Sequence, residues 1–109
     1  MTDACVVFTT CGSEETALTI AAALVDQRLA ACVSLIPRIK SYYYFDGATH
    51  MDEEVKLLIK TRCALFDKVA KLVAELHTYQ VPEIMMLKVD AGSEPFLLWL
   101  EQTTEVANP

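Results

Sequence analysis

The chain has 109 residues, 53% of them apolar and 22% charged, with three glycines and a formal net charge of -6. This composition suits one globular domain over residues 1–109 with a proper core, and it excludes disorder and low complexity. The acidic balance repels phosphate backbones and argues against a nucleic-acid partner, because the one basic cluster (Lys56, Lys60, Arg62) is closely preceded by Asp52, Glu53 and Glu54.

No apolar run approaches the ~20 residues a spanning helix needs, and Met1 to Ala4 lacks a signal-peptide layout. A cytoplasmic protein with no membrane partner is expected. Four cysteines are present, Cys5, Cys11, Cys32 and Cys63, and none forms a C-x-x-C pair. The expectation is reduced, mostly buried thiols.

In chain order, Ala4 to Cys11 is continuously apolar or β-branched, as in a strand central to a sheet. Gly12-Ser13 breaks it. Ser13 is a candidate N-cap, with Glu14 and Glu15 in the first turn of a helix whose buried face is expected to carry Leu18, Ala21, Ala22, Val25 and Leu29. Cys32 to Phe45 reads as a strand. Pro37 interrupts it, which places it at a sheet edge or bends it. Asp46-Gly47 signals a turn, and after a short polar stretch Val55, Leu57 and Ile59 carry strand period. The two strands make a long hairpin with Tyr42, Tyr43, Tyr44 and Phe45 at its tip, an apolar end expected to pack on another subunit. Ala64 to Leu76 reads as an amphipathic helix with Val69, Leu72, Val73 and Leu76 inward. Ile84 to Val89 reads as the fourth strand. Glu94-Pro95 opens a last helix over Phe96 to Leu100, apolar nearly all round, and Glu105 to Pro109 is expected to fray.

The order β-α-β-β-α-β plus a terminal helix predicts an α+β, ferredoxin-like sandwich with an antiparallel sheet and both helices on one face. The open face needs cover, which a closed oligomer provides. Several usual occupants of this fold are excluded. An RNA-recognition module needs basic charge and aromatic central strands, but those strands here carry Val6, Phe8, Leu57 and Ile59. A soft-metal chaperone would put a second cysteine where Glu14 stands, and an acyl-phosphate hydrolase would want arginine near Thr10-Cys11-Gly12-Ser13. No Gly-rich phosphate loop exists, and neither histidine can be placed beside a nucleophile, so no enzyme activity and no organic cofactor are expected.

The candidate site is His77-Thr78-Tyr79-Gln80-Val81-Pro82-Glu83, between the second helix and the fourth strand. His77 either caps the helix C-terminus or offers an imidazole to a borderline metal such as Cu(II) or Zn(II). Glu83 is either a solvated carboxylate or an oxygen ligand, and Tyr79 reads as a buried ring with a bonded hydroxyl. His50, among Asp46, Asp52, Glu53 and Glu54, reads as part of an exposed acidic loop or a weak cation site. Cys32 and Trp99 read as packing residues.

Leu29-Ala30-Ala31-Cys32-Val33, Ile36-Pro37, Ser41-Tyr42-Tyr43, Asp46-Gly47, Leu58-Ile59-Lys60-Thr61, Tyr79-Gln80-Val81-Pro82-Glu83 and Trp99-Leu100 together resemble the CutA divalent-cation-tolerance family, over Val6 to Leu100. The resemblance implies a PII-like homotrimer with clefts between subunits, tolerance to copper and other divalent cations in the cytoplasm, and no established catalysis. It also implies a copper site from a cysteine late in the first strand and paired histidines before the turn. This chain has Thr9 and Leu76 at two of those positions and keeps His77, while Cys11 shares a strand face with Thr9. Two readings follow. One is a trimer binding a divalent cation, preferably Cu(II), through His77 with Glu83 or Cys11. The other is a signalling or scaffold trimer whose clefts, lined by Lys60, Tyr79, Glu83 and Trp99, receive a small molecule or a partner segment.

Overall fold

The computed structural model describes residues 2–104, so the expected fraying of Glu105 to Pro109 lies outside the described residues. The sheet is built around β1 (Ala4–Cys11). β1 pairs antiparallel along its whole length with β3 (Ala48–Arg62), from Ala4 opposite Arg62 to Cys11 opposite Val55. On its other side it pairs antiparallel with the short β4 (Met85–Lys88), from Cys5 opposite Lys88 to Phe8 opposite Met85. β2 (Cys32–Phe45) lies outside β3, giving the order β2-β3-β1-β4, the ferredoxin-like arrangement. The edge position suits Pro37, which has no N–H for a central ladder.

Strand parity decides what is buried. Cys5, Val7, Thr9 and Cys11 of β1 and Leu57, Ile59 and Thr61 of β3 are all fully buried, facing the helices. The helices are α1 (Glu14–Asp26) and α2 (Phe66–Leu76). α1 begins as expected: the Ser13 hydroxyl accepts the Thr16 N–H at 3.2 Å, and Glu14 and Glu15 occupy the first turn. α2 is entered through a tight 3₁₀ turn at Cys63–Leu65, so it starts two residues later than the expected Ala64, and it buries Val69 and Val73. α3 (Glu94–Thr103) opens at Glu94-Pro95 as expected and runs three residues past Leu100. Its C-terminal carbonyls are tied to the end of α1, where Arg28 Nε donates to Thr103 O at 2.9 Å and Arg28 Nη2 to Gln102 O at 3.1 Å. A guanidinium there complements the helix dipole.

The buried face of α1 differs from the expectation. Ala17, Ile20 and Leu24 are fully buried with Leu29, whereas Leu18 and Val25 are 55% and 40% exposed. Ala22 is also exposed. The run Ala17 to Val25 is apolar nearly all round, so two helical stripes compete, and the sheet selects the one carrying Ile20.

The hairpin is longer than its apolar residues suggest. β3 starts at Ala48, so the polar stretch 48–54 is strand, with Asp46 (φ 53°) and Gly47 (φ 80°) forming the two-residue turn. Such a pair of positive φ values is the hairpin turn of type I′. The distal half of the hairpin passes beyond the end of β1 and extends the molecule to 44 Å in its longest dimension. Tyr42 and Tyr44 at the tip are 78% and 73% exposed. The sheet face opposite the helices is also uncovered: Met85, Leu87 and Ile36 are 56%, 63% and 44% exposed, and Val6, Phe8 and Leu58 are half-buried beside them.

Truncating Ile20 to alanine should cost about 2–5 kcal/mol of unfolding free energy, because it opens a cavity under the sheet. The same truncation at Leu18 should cost under about 1 kcal/mol, as for exposed sites. Urea unfolding of both variants checks the helix phase, and the reverse order would contradict it.

Candidate functional site

α2 ends at Leu76, and His77 takes an extended conformation (φ -75°, ψ 148°) while its N–H still bonds Val73 O at 2.9 Å. The chain then crosses the end of β1, where β4 has not yet begun. This crossing brings the imidazole of His77 onto Thr10 and Cys11. His77 Nε2 lies 2.8 Å from the Thr10 carbonyl oxygen, and the Tyr79 N–H donates to His77 Nδ1 at 3.1 Å. A carbonyl can only accept and an N–H can only donate, so the proton sits on Nε2 and Nδ1 is the acceptor. Both nitrogens of the ring are therefore engaged. Cys11 Sγ is 3.8 Å from Nε2, which brings together two soft or borderline donors from distant parts of the chain.

Tyr79 packs its ring on that of His77, with centroids 4.7 Å apart. Its hydroxyl passes over Gly12, where a Cβ would stand 3.1 Å from the phenol oxygen, and donates to Glu54 Oε2 at 2.7 Å. Glu54 is only 7% exposed. Burial, then the bond to the Glu54 carboxylate, pushes the Tyr79 phenol well above its ordinary range. Burial, then the Glu54 charge, pushes the Cys11 thiol up to about 11. Both are neutral at physiological pH.

On the far side of Tyr79 lies a cavity of about 540 Å³ between the distal hairpin and the 78–83 connection. Tyr43, Phe45 and Tyr79 contribute rings to it, and Asp52, Glu54 and Glu83 contribute carboxylates. The Tyr43 hydroxyl donates to Asp52, a bond that raises the Tyr43 pKa. Glu83 is held at 3.0 Å by Lys56, whose ammonium also lies 5.0 Å above the Phe8 ring.

The structure thus brings His77 and Cys11 together, and Tyr79 and Glu83 share the cavity beside them. Lys60 and Trp99 are elsewhere in the chain. Lys60 Nζ bonds Ser34 Oγ across β2 and lies 3.9 Å from Cys32 Sγ, on the open sheet face. Trp99 packs against Phe96 on α3 at 5.6 Å between centroids. His50 stacks on Tyr43 at 5.4 Å and contacts the Phe45 carbonyl oxygen at 3.1 Å. Among the described residues, no three His, Cys, Asp or Glu side chains come close enough to share one ion. All four cysteines are free thiols; Cys5 and Cys11 are buried, Cys32 and Cys63 partly so. Sequence reasoning missed Glu54 as a site residue because it stands in the polar stretch read as loop. Its strand phase, two before Lys56, was the available signal.

Comparison with known proteins adds the following. A family model described as CutA1 divalent ion tolerance protein matches residues 5–103. The divalent-cation tolerance protein CutA of Thermus thermophilus is 46% identical over 99 residues, covering 91% of this chain and 96% of that protein. Protein CutA of Mus musculus is 44% identical over 98 residues, covering 90% of this chain and 55% of the mouse protein, so the chain spans about half the length of that relative. Among solved structures, a divalent cation tolerance protein from Thermus thermophilus superposes with a TM-score of 0.91 at 44% identity, covering 94% of this chain and 99% of that one. CutA of Xylella fastidiosa gives 0.93 at 32% identity, covering 95% and 100%.

The raised thiols fix a pH dependence of stability. Cys11 and Cys5, with an ordinary value of 9.0, are held at about 11 and about 12, both chiefly by burial. Below pH 9 folded and unfolded chains alike keep these protons. Above it the unfolded chain releases them while the native state holds them, so stability falls as pH rises. The melting temperature should drop as pH rises from about 9 to about 11, and Cys11→Ala should make the drop shallower, as read by circular dichroism.

Proposed function

Since the chain belongs to the CutA1 divalent ion tolerance family, matched over residues 5–103, we propose that it acts in divalent-cation tolerance as a PII-like homotrimer binding a divalent cation, preferably Cu(II), at Cys11 and His77. The observation carrying this reading is the 3.8 Å approach of Cys11 Sγ to His77 Nε2. Thiolate and imidazole suit Cu and Zn far better than Mg. These residues fit such an ion as part of a ligand set. Both donors hold protons that a metal must displace, and the Nε2–H bond to Thr10 must open. Glu83 is engaged by Lys56 through Oε2 and does not cluster with Cys11 and His77 around one point. The remaining ligands are water or come from a second copy.

Trimer assembly is supported by the uncovered apolar sheet face and by the overhanging hairpin with its exposed rings. Both expose large apolar side chains, Met85 and Leu87 on the sheet and Tyr42 and Tyr44 on the hairpin, of the kind that mark an interface. The reading includes a cytoplasmic, reducing setting, supported by the four free thiols, and no helix of the described residues is long and apolar enough to cross a membrane. It includes no catalysis; the Thermus thermophilus relative bears the name of a tolerance protein. A second reading, a signalling or scaffold trimer that receives a small molecule, is favoured by the cavity next to Tyr79.

Calorimetric titration of Cu(II), Zn(II) and Mg(II) into the full chain tests the cation site. Cu(II) should bind most tightly, its affinity should rise with pH as protons are displaced, and His77→Ala and Cys11→Ser should each weaken it by about tenfold or more. Undiminished Cu(II) binding by His77→Ala would remove the site, and binding no stronger than to an unrelated acidic protein would remove the cation reading. Native mass spectrometry should find a trimer that Leu87→Glu dissociates; a wild-type monomer at micromolar concentration would contradict the assembly.

A further inference from the structure

Glu54 is a carboxylate only 7% exposed whose one hydrogen-bond partner among the described residues is a neutral phenol, that of Tyr79 on Oε2. No cation among the described residues pairs with it. A buried charge is costly unless it is paired, so this carboxylate lacks the partner that burial calls for. It lines the cavity of about 540 Å³ described above, a volume in the range of small-molecule sites.

The surroundings define the chemistry of that partner. Asp52 and Glu83 also line the cavity, and among the described residues Glu83 alone of these three carboxylates pairs with a cation, Lys56. The rings of Tyr43, Phe45 and Tyr79 form the rest. Aromatic faces attract organic cations and bury their methylene groups. An inorganic cation is a poor fit, because the carboxylates are spread around the cavity and no three of them converge on one point. An elongated organic ion spans what a bare ion cannot.

We propose that this cavity binds a small organic cation, a primary ammonium or guanidinium on an aliphatic chain, with its charged head on Glu54, its second polar end towards Asp52 and its chain against the rings of Tyr43, Phe45 and Tyr79. The proposal rests on the small-molecule reading of the cleft and names its ligand class. A head group entering beside Tyr79 finds an open lone-pair direction on Glu54, because the phenol occupies only one of its two oxygens.

The test is calorimetric titration of the full chain with agmatine, which carries a guanidinium and an ammonium at the ends of a butyl chain, in a chelator so that no metal contributes. 1,4-Butanediol serves as the neutral isostere. Agmatine should bind with one site per chain and weaken as salt rises, and butanediol should not bind. Glu54→Gln keeps an acceptor for Tyr79 and so keeps the fold; it should lose about tenfold or more in affinity. Glu53→Gln makes the same change in net charge on an exposed neighbour and should stay within about twofold of wild type. Equal loss in both variants would mean diffuse attraction to an acidic protein and would overturn the site. Uptake of butanediol as tight as that of agmatine would leave a ligand cavity and overturn the cation. No uptake of either would overturn the small-molecule reading with it.

Discussion

One extra residue in β2 determines what the hairpin presents. Ile36 stands opposite Lys56 and Ile39 opposite Glu54, so three steps along β2 match two along β3. Pro37 and Arg38 fill the bulge, and Arg38 takes a left-handed conformation (φ 58°) that lets the strand resume pairing. Before the bulge, the even-numbered residues Cys32, Ser34 and Ile36 share a face with Lys56, Leu58 and Lys60; after it, the odd-numbered Ile39, Ser41, Tyr43 and Phe45 do. A one-residue change of register turns every following side chain to the opposite face. Without the bulge, Tyr42 and Tyr44 would stand with Asp52 and Glu54 in place of Tyr43 and Phe45. The cavity beside Tyr79 therefore depends on a proline and an arginine that do not line it.

The second constraint is that both long helices cover a single sheet face. The central pairing of β1 with β3 sends Val7, Leu57 and Ile59 towards them and leaves Phe8, Leu58 and Met85 without cover from the chain itself. The same asymmetry positions the candidate site. α2 lies on one face and β4 at the sheet edge, so the connecting residues must pass the end of β1. β4 reaches only to Met85 opposite Phe8, which leaves Thr9 to Cys11 without a strand partner on that side. His77 and Tyr79 fill that gap, one bonding the Thr10 carbonyl and the other reaching across to Glu54.

Much of this was legible in the sequence for identifiable reasons. β1 carried an unbroken apolar run, Ser13 had the chemistry of a cap, Asp46-Gly47 that of a type I′ turn, and Pro37 marked both the edge and the bend. Each is a local signal whose physics acts over a few residues. What failed was non-local. The stripe of α1 could not be chosen between Leu18 and Ile20, because a helix apolar all round is phased only by the sheet it meets. The strand character of 48–54 was hidden because its residues pair with the tyrosine tip rather than with a core. In sequence Glu54 is one of several carboxylates beside a turn, and its bond to Tyr79 joins residues 25 positions apart. Lys60 lies on the open face and Trp99 on α3, so the cleft expected to gather them with Tyr79 is one between subunits and not within a single chain.

Glu54 also links the two proposed sites. Its charge is one of the two causes that keep the Cys11 thiol protonated, the other being burial. A cation placed against Glu54 cancels that contribution and so makes the Cys11 thiolate, the form a metal requires, easier to reach. By linkage the relation runs both ways in binding free energy: an organic cation in the cavity and a soft metal at Cys11 and His77 would each favour the other through the same carboxylate. The effect needs no movement of the backbone, since Tyr79 already contacts both His77 and Glu54. Direct repulsion between the two bound cations acts in the opposite sense and grows as they approach. The Cys11 thiol is thus coupled electrostatically to a carboxylate that lines the cavity.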